Sequence, residues 1–409
     1  MLKCAPMNAV TDKHIILGVC GSIAAYKIVE LARNLTLDGA IVDVILTEAA
    51  ERFVGIPTFQ ALTGRHVLTD MWSLPEDGVV GHVSLGQHAD LVVIAPATAN
   101  TIARLAAGIS DDLLTTTVLA TTAPVLCVPA MNPLMYANAA TQDNIAVLQR
   151  RGMTVIAPAY GRMAEHVVGQ GRMPEVAEID GHLRALLAQQ KGALRRRRVV
   201  VTAAGTHEPL DPVRFIGNRS SGRMGYALAT EARDRGAQVT LISGPSSLTP
   251  PTAVEVVNVE TALDMRDAVH SAIADADLLV MAAAVADFRP AAPVSHKIKK
   301  GNDETFAVQL IRNPDILAGL AEQRHFIKIG FAAETEDLLE NARSKLERKG
   351  LDMIIANEAV ASIGQLESQV TILDSDGAHP LPRQAQQQSA QAIFDAIVQR
   401  WPDRLGPKN

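Results

Sequence analysis

The sequence predicts an α/β protein of two doubly wound, Rossmann-like parallel-sheet domains, and three observations carry that prediction. Apolar runs recur without polar alternation, as in "ADLVVIAPATAN" from Ala89 and "ADLLVMAAAVADF" from Ala276; central parallel strands covered on both faces read this way. Helix-like stretches separate the runs, which argues for parallel strands joined by crossovers. The same grammar then occurs twice. In the first half "KHIILGV", a Gly turn, a helix and "GAIVDVILT" follow one another. In the second half "RRRRVVVTAAG", a Gly loop, a helix and "GAQVTLISG" do the same.

A length of 409 residues fits two domains. The boundary is expected between Leu186 and Arg198, giving domains 1–190 and 191–409. Arg195 to Arg198 are read as solvating that linker and capping an edge of the next strand, rather than as a polybasic patch. Hydrophobic residues make up 48% and aromatics only 3%, so the cores must be aliphatic. Leu113 to Ala130 is apolar but carries five threonines and two prolines, and reads as a buried helix and strand rather than a membrane span. The net charge of -6 argues against a nucleic-acid partner. Cys4, Cys20 and Cys127 show no metal-ligand spacing, and an odd count without a framework fits a reducing cytoplasm. "MLKCAPMNAVTDK" lacks the apolar core of a targeting signal. A membrane partner is not expected.

Two strand-to-helix turns are candidate anion sites: "GVCGSIAAYK", from Gly18, and "GNRSSGRMG", from Gly217. Backbone N–H groups at a helix start attract phosphate, and ligands of open parallel sheets sit at the carboxyl ends of strands. Neither half has the GxxxxGK[ST] of a P-loop or a clean GxGxxG after its first strand. Taken alone, such a turn serves equally well to pack a helix on a strand.

Longer motifs decide the matter. "GVCGSIAAYK", "TEAAERF", "GHVSLGQHADLVVIAPATAN" and "PAMN" together resemble the flavin-dependent cysteine decarboxylases. "DPVRFIGNRSSGRMG", "AAAVADFRP", "KIKK", "NPDIL" and "GFAAET" resemble phosphopantothenate–cysteine ligase. In this order the two halves resemble the bacterial bifunctional family of coenzyme A synthesis, from about Lys13 to about Leu381. The resemblance implies a flavodoxin-like flavoprotein domain followed by a ligase domain. The two loops then serve two phosphorylated ligands in two active sites.

For the first half the resemblance implies FMN. Gly21 and Ser22 would meet the flavin phosphate. Thr47, Phe53 and Met131 match flavin-contacting positions, and the small residues Pro96, Ala97, Thr98 and Asn100 let the ring approach the backbone. His82 matches the catalytic histidine, a base suited to thiol deprotonation, although a lone His is commonly just solvated. Asn132 matches the residue that binds the substrate carboxylate; the bland reading is a turn residue before Pro133. The implied chemistry has a reason. A carbanion beside an amine-bearing carbon has no electron sink, and oxidation of the neighbouring CH2–SH to a thioaldehyde provides one.

For the second half the resemblance implies CTP, cysteine and 4'-phosphopantothenate, joined through an acyl-cytidylate with Mg2+ bridging phosphate oxygens. Lys297 matches the lysine of acyl-cytidylate formation, and Asn218 the residue that turns the intermediate over with cysteine. Lys299 and Lys300 read as a solvated strap. Nucleotide contacts fall on Met281, Ala282, Ala283, Asp287, Lys297, Pro314, Asp315, Ile316, Leu317, Phe331, Lys345 and Lys349. Lys345 and Lys349, four apart on a helix, can face one anion. A homo-oligomer with trimeric flavin domains and dimeric ligase domains is implied as well.

Two departures from the family pattern stand out. Ser362 to Gln369 replaces the usual acidic and asparagine-containing stretch, so no role is carried over there. Glu165, in "GRMAEHVVGQGRMPE", falls where the decarboxylase loop has its cysteine. Replacement of that acid by Glu165 or His166, or an impaired decarboxylase half, both remain open. A purely binding flavin-fold protein and a dinucleotide oxidoreductase are the competing classes. A flavin spectrum together with CTP-dependent pyrophosphate release separates them.

Overall fold

Strand formation follows the apolar runs. The structure is a computed structural model, and it describes residues 9–72, 81–299, 305–334, 337–358 and 367–408. Cys4, Lys300 and the 362–366 part of the divergent stretch lie outside the described residues. The chain divides into two compact units, Met1–Leu187 and Ala188–Asn409.

In the first unit, β1 (His14–Val19), β2 (Ile41–Leu46), β3 (Val67–Leu68), β4 (Leu91–Ala97), β5 (Val125–Pro129) and β6 (Thr154–Val155) form one parallel sheet. Its order is β3-β2-β1-β4-β5-β6. An antiparallel hairpin, β7 (Ala159–Arg162) and β8 (Val168–Arg172), stands outside it. The second unit repeats the plan with β9 (Arg198–Ala203), β10 (His207–Pro209), β11 (Phe215–Gly217), β12 (Gln238–Ser243), β13 (Glu255–Asn258), β14 (Leu278–Met281), β15 (Phe288–Pro290) and β16 (Leu310–Arg312). It continues with β17 (Ile327–Glu334), β18 (Met353–Glu358), β19 (Glu367–Ser368), β20 (Val370–Asp374), β21 (Gly377–Pro380) and β22 (Gln384–Ala385). The main sheet runs β13-β12-β9-β14-β17-β18-β20-β21, with its last two pairings antiparallel. β10–β11 and β15–β16 are small separate hairpins.

Both faces of each sheet are covered, which is why the strands carry no polar alternation. Ile15, Leu17, Val19, Val93 and Ala95 point into one layer of the first unit, and Ile16, Val92 and Ile94 into the other. Val199, Val201 and Val280 divide from Val200, Leu279 and Met281 in the same way in the second. Each such aliphatic side chain contributes about 1.5–3 kcal/mol on burial. Leu113–Leu119 is a helix leading to β5, as the threonine-rich stretch predicted.

Chain order reverses between β1 and β4 in the first sheet and between β9 and β14 in the second. The loops leaving these strands open a crevice at the carboxyl edge. In the second unit glycine makes that loop possible. Gly222 has φ +78° and starts the helix Arg223–Asp234, and a Cβ on Gly225 would lie 2.5 Å from that of Ala203.

The arginine run differs from its predicted role. Arg197 is largely buried and donates to Asp277 Oδ1 at 3.0 Å and to the Gly406 carbonyl at 2.9 Å. Arg198 pairs with Asp275 at 2.6 Å, and Arg195 donates to the Gln190 carbonyl at 2.9 Å. Arg197 and Arg198 tie β9 to Asp277 and Asp275, about 80 residues away, a partnership invisible in a local window. Burial alone would raise the Asp277 carboxyl; bonds from Lys408, the Arg198 N–H and Arg197 outweigh it and hold the group below its usual range.

Candidate active sites

A cavity of about 730 Å3 lies at the carboxyl ends of β14, β17 and β18 in the second unit. The loop Asn218–Gly222 forms one wall, and the start of the helix Arg223–Asp234 faces in without a side-chain cap. Its free N–H groups favour an anion. Arg219, Arg223, Arg312, Lys345, Arg348 and Lys349 line the cavity against two carboxylates, Asp287 and Asp315. That excess of cations suits a triphosphate.

The structure brings most of the predicted ligase residues to this cavity. Asn218, Met281, Ala282, Ala283, Asp287, Pro314, Asp315, Ile316, Leu317, Phe331, Lys345 and Lys349 all line it. Asn218 is held by its own amide, which donates to the Val285 carbonyl at 3.1 Å. Asp315 caps the short helix that follows it, accepting the Ala318 N–H at 3.1 Å, and pairs with Lys349 Nζ at 3.0 Å. Burial opposes ionisation of Asp315, but the Ala318 N–H, Lys349 and Arg348 outweigh it and lower its pKa. Lys297 is the exception: it is exposed and does not line the cavity. Its neighbour Ile298 is fastened instead to the turn between β10 and β11.

Sequence reading missed Arg348, Asn357, Ser368 and Gln386 on the same walls. Arg348 could have been found from its spacing to Lys345, three positions on along one helix face. Asn357 lies near the end of the apolar run "MIIANE", where ligands of parallel sheets are met. Ser368 Oγ and Gln386 Oε1 are buried without a hydrogen bond among the described residues, a condition that calls for a partner on a ligand.

The first unit has a cavity of about 680 Å3 beside the β1–β4 switch. Gly21, Thr47, Thr98 and Asn100 of the predicted flavin set line it, with Cys20, weighed in the sequence only for metal-ligand spacing, and with Arg104, Asp111 and Asp112, which the sequence reading did not single out. Arg104 is committed to both carboxylates, at 3.1 and 3.0 Å. Ser22, Phe53, Pro96, Ala97 and Met131 are not on this wall. Ser22 Oγ accepts the Ala24 N–H at 3.3 Å, just before the helix Ala25–Leu37, which has no side-chain cap of its own. Pro96 and Ala97 are the buried end of β4, and Phe53 is half exposed.

Met131, Asn132, Glu165 and His166 gather around the β7–β8 hairpin, and His82 lies at a helix start. Met131 is buried, and its N–H donates to the Gly171 carbonyl at 3.0 Å, docking β8 on the "PAMN" loop. Asn132 caps the helix Pro133–Ala137, accepting the Leu134 N–H at 2.9 Å. Its amide donates to Glu165 Oε2 at 2.5 Å. The hairpin tip thus sets the Glu165 carboxylate on the residue predicted to hold a substrate carboxylate. His166 points elsewhere, its Nδ1 3.0 Å from an Arg162 guanidinium nitrogen. His82 is the second residue of the helix Gly81–His88, and its Nδ1 is buried without a hydrogen bond among the described residues.

A flavin fits what this cavity presents: adequate volume at the strand ends, and the small residues Gly21, Ala49, Thr98 and Ala99 on its wall. Burial pushes the Cys20 thiol up to about 11, an effect that the hydrogen bond from Thr101 only partly offsets. Cys127 is raised further by burial and by Cys20. Both are therefore inert as nucleophiles near neutral pH.

Two family models match the chain: Flavoprotein over residues 5–187, and DNA/pantothenate metabolism flavoprotein C-terminal domain over residues 194–400. A coenzyme A biosynthesis bifunctional protein CoaBC of Vibrio cholerae is 45% identical over 399 residues, covering 96% of this chain and 99% of that protein. Its counterpart in Mycobacterium bovis is 48% identical over 405 residues, with 94% and 96% covered. The crystal structure of a CoaBC C-terminal domain is 38% identical, spans 52% of this chain and 100% of that one, and has a TM-score of 0.45. Matched along nearly its whole length at this identity, the chain belongs to the family of bifunctional proteins of coenzyme A biosynthesis.

Proposed function

We propose that the chain runs two successive steps of coenzyme A synthesis, the ligase step in residues 191–409 and the decarboxylase step in residues 1–190. Cysteine is joined to 4'-phosphopantothenate with CTP, and the product is decarboxylated to 4'-phosphopantetheine with FMN as the redox group. The observation that carries the reading is the doubled site: two strand-end cavities of different chemistry, one rich in cations and one with its single arginine neutralised.

In the ligase reaction the substrate carboxylate attacks the α-phosphorus of CTP, and pyrophosphate leaves. The amine of cysteine then attacks the acyl carbon and loses a proton, and CMP leaves. The start of the helix Arg223–Asp234, with Lys345 and Lys349, holds the phosphates. Lys297 offsets the charge that grows at phosphorus. Asn218 orients the acyl group toward the amine. Among the described residues no group of three or more His, Cys, Asp or Glu could hold a metal ion. Mg2+ would thus be bound chiefly by phosphate oxygens and water.

In the decarboxylase, bound FMN supplies the oxidation and re-reduction at the carbon–sulfur end that give the carbanion its sink. Gly21, Thr47, Thr98 and Asn100 of the cavity wall meet the flavin, and the family motifs add Ser22, Phe53, Pro96, Ala97 and Met131, which lie off that wall. His82 takes the thiol proton. Asn132 holds the substrate carboxylate. Glu165 returns the final proton, and its contact with Asn132 supports it over His166, whose Nδ1 faces a guanidinium that can only donate.

The same reading includes a cytoplasmic homo-oligomer, trimeric through flavin domains and dimeric through ligase domains. Exposed Phe215, Phe288, Leu310 and Ile311 on the hairpins of the second unit support the dimer. No helix of the described residues is long and apolar enough to cross a membrane.

The purified protein is expected to show an oxidised-flavin spectrum and to release pyrophosphate only when CTP and 4'-phosphopantothenate are both present. A colourless protein, or release indifferent to 4'-phosphopantothenate, would overturn the assignment.

A further inference from the structure

The strap that carries Lys297 is fastened by one buried carboxylate to the turn that leads toward Asn218. Asp211 lies between β10 and β11 and is 3% exposed. Its Oδ1 accepts the backbone N–H groups of Val213 and Arg214, each at 2.8 Å, and closes the turn. Its Oδ2 accepts the N–H of Ile298, 87 residues further on, at 3.0 Å. Two more bonds reinforce the join: Val294 N–H to the Leu210 carbonyl at 3.1 Å, and Arg214 Nη2 to the Ile298 carbonyl at 3.4 Å. Ile298 directly follows Lys297, and β11 ends at Gly217, directly before Asn218.

The two oxygens have different work. Closing the turn needs only Oδ1, a task that Asn performs equally well in such turns. Oδ2 faces a backbone donor, and only an unprotonated carboxylate can accept there; the amide nitrogen of Asn would set donor against donor. Burial would push the Asp211 carboxyl up, but the N–H groups of Ile298, Val213 and Arg214, with the Arg214 guanidinium, outweigh it and lower its pKa. The carboxylate therefore stays ionised at neutral pH, as the strap bond requires.

We propose that Asp211 is a positioning residue of the ligase, latching the strap that carries Lys297 to the turn that leads into the Asn218 loop, so that strap and loop are held in one arrangement beside the reaction. The inference rests on the roles proposed above for Lys297 and Asn218. It makes Asp211 matter for the rate of cytidylyl transfer to the substrate carboxylate rather than for nucleotide binding.

The test is Asp211→Asn, measured as pyrophosphate release from CTP and 4'-phosphopantothenate without cysteine. The single-turnover rate constant is expected to fall about 10- to 100-fold, with the CTP concentration for half-maximal rate changed less than about threefold, since misplacement of a catalytic group by about 1 Å costs rates of this order. Trypsin should cut the strap after Lys297 or Lys299 faster than in the unaltered protein. Ile298→Pro removes the same hydrogen bond from the other side and guards against a folding defect peculiar to position 211. It should slow release similarly, and the double variant should be no slower than about twofold below the worse single one. A folded Asp211→Asn protein that releases pyrophosphate at the original rate overturns the latch, as does a double variant whose losses multiply. Lys297→Gln, assayed alongside, separates the two claims. If it keeps full activity, the role of Lys297 fails; if it is dead while Asp211→Asn is unimpaired, only the latch fails.

Discussion

Lys297→Gln is expected to leave CTP binding nearly intact and to cut acyl-cytidylate formation by about 100- to 1,000-fold, the loss typical of removing one preorganised group from a developing charge. The ammonium is exposed and off the wall of the ligand-free cavity, so it contributes little to holding the nucleotide, which the six cations on the wall can already do. Its effect should appear in kcat rather than in KM. Asn218→Asp should fail one step later. Asn218 lines the cavity and is locked by Val285, so its loss leaves activation working and impairs attack by cysteine. Labelled acyl-cytidylate then accumulates. Quenched-flow analysis with labelled CTP distinguishes the cases: intermediate absent in Lys297→Gln and abundant in Asn218→Asp. Normal formation of the intermediate in Lys297→Gln would show that another cation carries the step.

Glu165→Gln should change the identity of the product. If Glu165 donates the last proton, the variant still loses CO2 but stalls before reduction of the ene-thiol, and the released species carries two hydrogens fewer than 4'-phosphopantetheine. For this the carboxyl must be protonated at working pH. His166→Gln alone should give the ordinary product, since that ring is turned to Arg162. Mass spectrometry of the product reads all three proteins. Full reduction in the Glu165→Gln, His166→Gln double variant would exclude both side chains as donor.

The residues show how far the sequence reaches. The strands read from "KHIILGV", "GAIVDVILT" and "ADLVVIAPATAN", and from their counterparts in the second half, are all present as β1, β2, β4, β9, β12 and β14. Two-sided burial imposes a continuous apolar run, and such a run is visible in any window. The hairpins β10–β11 and β15–β16 have strands of three residues, too short to show a period. Asp211 and Arg197 escaped for a different reason. Each takes its meaning from a partner about 80 residues away, Ile298 or Asp277, and nothing in the local pattern names that partner. The long ligase motifs led to a common cavity because they cluster at strand ends. Lys297 did not follow, since it lies on a strap outside the sheet, where no periodicity places it.

The most direct measurement supplies the full-length protein with CTP, cysteine and 4'-phosphopantothenate and follows every product by mass spectrometry. One pyrophosphate, one CMP and one CO2 should appear for each 4'-phosphopantetheine, and omission of CTP should stop all of them. Accumulation of 4'-phosphopantothenoylcysteine without CO2 would contradict the account, because it would leave the first cavity without its reaction.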